Sequence, residues 1–169
     1  MPPIPDPNME TNNDEDSAAV RFPPPIIPVL AILIGVALGA FSPIVSGFVV
    51  PTPERYWIGG MIIAGSLVGL GLWPIFLFRD SGQNVSPRSI TPEIVVLGPY
   101  RVTRNPMYLM MVLLCIGFTI LLSNAWIGIL TPICAWTLYQ FAIKPEEAYL
   151  EQKFGDSYRA YKLKVRRWI

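Results

Sequence analysis

The sequence contains no histidine, only two cysteines, and charged residues make up just 15% of its 169 positions. Without imidazole there is no Ser-His-Asp triad, no histidine-ligated iron or zinc, and no imidazole general base. No metal site is expected. Cys115 and Cys134 both fall inside apolar runs and read as small packing residues rather than a disulfide or a reactive thiol. A net charge of +1 points to no polyanionic partner and no nucleic acid. Soluble domains carry about a quarter charged residues. Here 52% of residues are hydrophobic, the mean hydropathy is +0.44, and the apolar residues are clustered in runs.

Residues 1–25 hold seven prolines and five acids, with Arg21 their single basic residue. That composition predicts a disordered arm, and its acidity is unlike the basic start of a secretory signal. Ile26 to Val50 is uncharged for 25 residues, long enough as a helix to cross a bilayer with some tilt, with Pro43 as a kink. A second uncharged run, Trp57 to Phe78, carries Trp57 and Trp73 towards its ends, as interfacial aromatics often lie. Gly65 and Gly69 within it have the spacing that lets a neighbouring helix approach. The chain then turns polar from Arg79 to Asn105. Met107 to Leu122 and Ala125 to Ile143, separated by Ser123-Asn124, predict a helical hairpin.

The expected architecture is an all-α integral membrane protein with about four transmembrane helices, the last two forming that hairpin, and a cytoplasmic C-terminal helix. Residues 26–78 supply the first two spans and residues 79–169 the polar loop, the hairpin and the C-terminal helix. With four spans, twelve of the thirteen basic residues fall on one side and Arg55 alone on the other. The positive-inside rule makes the twelve-residue side cytoplasmic, and both termini with it, as in a bacterial inner membrane.

Two polar segments flank the hairpin, so a folded hairpin brings them together. The first supplies Arg101, Arg104, Asn105 and Tyr108; the second supplies Glu146, Glu147, Tyr158 and Tyr161. Read singly, each has an ordinary role. Juxtamembrane arginines anchor, Asn105 caps a helix that starts at Pro106, and Glu146 and Glu147 favour a helix start after Pro145. The tail tyrosines and Arg166 either close a pocket between these segments or anchor an amphipathic helix on anionic lipid, and anchoring is the favoured reading.

Taken together, Gly98-Pro99-Tyr100-Arg101-Val102-Thr103-Arg104-Asn105-Pro106-Met107-Tyr108, a hairpin, Glu146-Glu147, and Phe154-Gly155 followed by Tyr158 and Tyr161 resemble the isoprenylcysteine carboxyl methyltransferase family. The related membrane phospholipid methyltransferases share this layout. The resemblance covers residues 98–167 and departs at Asn105, where eukaryotic members carry histidine. It implies transfer of the S-adenosylmethionine methyl group to a lipid-soluble acceptor, a carboxylate or an amine, at the cytoplasmic membrane face. It also implies Gly98, Tyr100, Asn105, Pro106, Tyr108, Glu146 and Glu147 as cofactor contacts, and Arg101, Arg104 and Glu147 as residues of the catalytic site. An NADPH-dependent sterol-type reductase and a non-catalytic membrane scaffold are the alternatives. The oligomeric state is not legible.

Overall fold

The computed structural model describes residues 23–42, 51–80 and 97–169, with backbone alone over 77–80. The described residues are helical: α1 (Ile26–Phe41), α2 (Glu54–Ser66), α3 (Trp73–Asp80), α4 (Pro106–Leu121), α5 (Ala125–Leu138) and α6 (Lys144–Lys164), plus a 3-10 turn at Gly98–Arg101. An isolated parallel bridge pairs Thr103 with Arg166. The expected arm over residues 1–22 and the stretches 43–50 and 81–96 lie outside the described residues.

Helix α1 ends sooner than the apolar run that encodes it. Ser42 leaves helical geometry at φ −132° and ψ 85°, as a residue preceding a proline favours. Helices α2 and α3 are one continuous rod, joined by a π-helical stretch over Leu67–Leu72. Helices α5 and α6 are joined in the same way over Tyr139–Ile143. Each wide turn closes two residues before a proline, Pro74 or Pro145. Proline lacks the N–H that would bond the carbonyl four residues back, and a π turn re-registers the ladder around that gap. The rods Glu54–Phe76 and Ala125–Lys164 are each long and apolar enough to cross a membrane.

The α4–α5 hairpin is the centre of the bundle, with α2 packed on α4 and α1 on α5. Asn124 closes its tip. The side-chain oxygen accepts from Trp126 N at 3.0 Å and Ile127 N at 3.4 Å, while Nδ2 donates to the Gly35 carbonyl at 3.1 Å. One buried side chain therefore caps α5 and ties α1 to the tip. Helix α2 starts at this tip, where Gly59 meets Leu121 and Gly117, and Gly71 meets Met110 near the opposite end. The four rods therefore alternate in direction. The close helix contact uses Gly59 and Gly117. A Cβ on Gly65 or Gly69 would meet nothing within 4 Å among the described residues, so the spacing read from sequence marks no contact among them.

The core comprises Met111, Cys115, Ile127, Cys134, Leu138 and Ile143 among others. The outside is also apolar: Leu33, Trp57, Met61, Ile133 and Trp136 are all more than half exposed. A surface of that kind suits lipid rather than water.

Candidate functional site

The site lies at the end of the bundle away from Asn124, where the α4 start, the α5–α6 junction and the C-terminus converge. Gly98 opens the first segment at φ 54°, and Tyr100 N and Val102 N bond back to the carbonyls of Leu97 and Pro99 at 3.1 and 3.0 Å. This tight turn points Arg101 outward and leaves Tyr100 half-buried. Asn105 then leads into α4, with Pro106 at its first position. The expected cap by the Asn105 side chain is not made. Its Nδ2 donates instead to the Arg167 carbonyl at 3.3 Å.

Glu146 and Glu147 also depart from expectation. The rod is helical through Ile143 and Pro145, so the pair lies within a continuous helix and meets no free helix start. What positions them is their neighbours. The Tyr108 hydroxyl donates to Glu146 Oε2 at 2.7 Å. Arg167 forks onto Glu147, Nε to Oε1 at 3.0 Å and NH2 to Oε2 at 2.8 Å. Arg104 NH1 stands 3.4 Å from Glu147 Oε1, and the two side chains are only 10% and 12% exposed.

The tail is not a separate surface helix. Gly155, at φ 50° and ψ −121°, breaks α6 with a conformation that side chains rarely adopt. The chain beyond it returns to the first segment. Tyr161 donates to the Tyr100 carbonyl at 2.7 Å, Thr103 Oγ1 donates to the Arg167 carbonyl at 2.9 Å, and Arg104 N donates to the Arg166 carbonyl at 3.0 Å. Tyr158, Tyr161 and Val165 pack with Leu150 and Phe154 as a small second core. Arg104 hydrogen-bonds Tyr158 as well. Its Nε and NH1 atoms, both buried, have no hydrogen-bond partner.

Burial dominates the electrostatics. Glu146, beyond the apolar run of α5, is raised above the usual carboxylate range by burial, with the Tyr108 bond opposing and the charge of Glu147 adding. Burial raises Tyr100 and Tyr158 too, with the charges of Glu146 and Glu147, respectively, next in importance. Tyr161 is pushed up to about 12 by burial. These phenols are neutral hydrogen-bonding groups at physiological pH. Arg167 is raised chiefly by its bonds to Glu147.

Of the residues singled out from sequence, Tyr100, Arg104, Asn105, Tyr108, Glu146 and Glu147 thus gather in one place, and Arg101 lies exposed at the rim. Thr103, Tyr139 and Arg167 were not singled out. Arg167 stands in a basic tail whose composition reads as membrane anchoring. Only its pairing in space with Glu147, twenty residues earlier, reveals another role.

An apolar-surfaced helical bundle with arginines, carboxylates and phenols gathered at one end has the construction of a membrane enzyme. A family model for phospholipid methyltransferases matches residues 55–157, and the chain belongs to that family. It is a methyltransferase of the membrane type. An uncharacterized protein of Haemophilus influenzae is 49% identical over 65 residues, which is 37% of this chain and the whole of that protein. The protein-S-isoprenylcysteine O-methyltransferase of Schizosaccharomyces pombe is 36% identical over 80 residues, 47% of this chain and 34% of the yeast enzyme. No solved structure matches significantly.

Proposed function

We propose that this chain uses S-adenosylmethionine to methylate a lipid-soluble acceptor at the cytoplasmic face of a membrane that it crosses four times. The observation that carries the proposal is the convergence of the Tyr108–Glu146 pair and the buried Arg104 at one end of an apolar-surfaced bundle. Residues 26–78 form the first two spans and residues 79–169 the catalytic region. Arg55, near the hairpin tip, lies opposite Arg101, Arg104, Arg166 and Arg167, and by the positive-inside rule we read both termini as cytoplasmic.

The residues present suit this methyl donor, which carries a carboxylate, an ammonium and ribose hydroxyls. Glu146 offers a partly buried carboxylate to the hydroxyls or the ammonium. Arg104 offers unsatisfied N–H groups to a carboxylate, and buried polar groups ordinarily have partners. Tyr100, Asn105 and Tyr108 line the approach, while Gly98 and Pro106 fix its backbone. Glu147 serves by pairing with Arg167, whose fork takes up both of its oxygens. Arg101, exposed at the rim, is placed to meet an acceptor arriving from the bilayer. The bound cofactor supplies an already activated methyl group. The protein therefore contributes positioning and exclusion of water more than proton transfer, in keeping with a chain that has no histidine.

The test is transfer of radiolabelled methyl from S-adenosylmethionine into a lipid extract by the purified protein in proteoliposomes. Label in the organic phase, lost in Glu146→Gln, is the expected result. Absence of transfer by a folded protein to prenylated carboxylates and amine-headgroup lipids alike contradicts the proposal.

A further inference from the structure

We infer that Arg167 is a positioning residue that engages both oxygens of Glu147 and so keeps the buried Arg104 open to an oxyanion of the ligand. The inference rests on the proposed function for the identity of that ligand, and Arg167 lies beyond residues 55–157, which the family model matches.

Two arginines are within reach of one carboxylate. Arg167 makes the two-bond fork at 3.0 and 2.8 Å, whereas Arg104 NH1 stands at 3.4 Å without a hydrogen bond. A paired fork on a carboxylate is the stronger arrangement, so Arg167 holds Glu147 against its rival. Arg167 is itself held. Its carbonyl accepts from Thr103 and Asn105, and its guanidinium carbon lies 4.9 Å from the centre of the Tyr139 ring. It remains 36% exposed, so part of its charge stays hydrated. Arg104 is nine-tenths buried with two nitrogens unsatisfied. Buried donors that make no hydrogen bond are costly, NH1 having only the longer ion pair with Glu147, and an anionic ligand group offsets that cost on binding. Without Arg167, Glu147 is free to turn fully onto Arg104 and occupy the donors the ligand needs.

This competition has a signature that a purely structural tail does not share. Arg167→Gln should bind S-adenosylmethionine about tenfold more weakly or worse, the scale of one charged hydrogen bond. Adding Glu147→Gln to that variant should restore most of the affinity, because the competing carboxylate is gone. If the tail only braces the fold, the double variant binds no better than the single one. Arg167→Lys, which keeps the charge without the fork, gives the same comparison with and without Glu147→Gln should Arg167→Gln not fold. Sulfate serves as a second probe, read as a rise in melting temperature over chloride at equal ionic strength. That rise is expected in wild type and the double variant and not in Arg167→Gln. If wild type binds no S-adenosylmethionine, the proposed function fails while the sulfate comparison still decides the role of Arg167. A double variant that recovers neither response overturns the inference.

Discussion

The Tyr108 hydroxyl lies 2.7 Å from Glu146 Oε2 and joins the first turn of α4 to the α5–α6 junction, 38 residues later. The two residues stand at opposite ends of the hairpin sequence and at the same end of the bundle. Tyr108→Phe preserves the ring and its packing and removes the only hydroxyl in the pair. It leaves Glu146 Oε2 short of a donor, at an expected cost of about 1–3 kcal/mol. A melting temperature in detergent that is unchanged from wild type would show that the bond contributes nothing to stability.

The partly buried Glu146 also predicts how stability varies with pH. Its folded-state pKa is raised, so the folded protein holds the proton more tightly than the unfolded chain does. Between the ordinary carboxylate value, about 4.3, and the raised one, stability from this group falls as pH rises. Glu146→Gln imitates the protonated acid at every pH. Its melting temperature relative to wild type should climb as pH rises through that window and level off above it. A constant difference across the window would contradict the assignment.

At the α2–α4 contact, backbone meets backbone. A Cβ on Gly59 would lie 2.8 Å from Leu121 N and 2.9 Å from the Gly117 carbonyl, neither of which can swing aside. Gly59→Ala should therefore push the helices apart and destabilise the bundle by about 1–3 kcal/mol. Gly65→Ala meets none of the described residues, and exchange of a helical glycine for alanine is worth about 0.5–1 kcal/mol in its favour. Thermal unfolding of the two variants side by side reads the contrast. Equal behaviour would mean that the helices do not touch at Gly59.

Much of this was legible from residue pattern. The uncharged runs located the helices, Ser123-Asn124 located the hairpin tip, and the position of two polar segments around one hairpin brought Arg104, Tyr108 and Glu146 together in advance. Three features were not legible, each for a physical reason. Pro145 reads as a helix start, yet the π turn before it carries the helix through, which no propensity scale distinguishes from a break. Gly65 and Gly69 have the spacing of a packing motif, but which face of α2 meets α4 depends on the partner, and the partner meets Gly59. The return of the tail depends on one positive-φ glycine, Gly155, and on bonds from Thr103, Asn105 and Tyr161 that span more than sixty residues. Composition alone leaves the tail open between the lipid surface and the site.

The central claim is that this end of the bundle binds a methyl donor. Equilibrium binding of S-adenosylmethionine to the detergent-purified protein, with NADPH alongside and Glu146→Gln as control, tests it most directly. Saturable binding of S-adenosylmethionine alone, weakened in Glu146→Gln, is the expected result. Binding of NADPH instead, or of neither ligand by a well-folded sample, would contradict it.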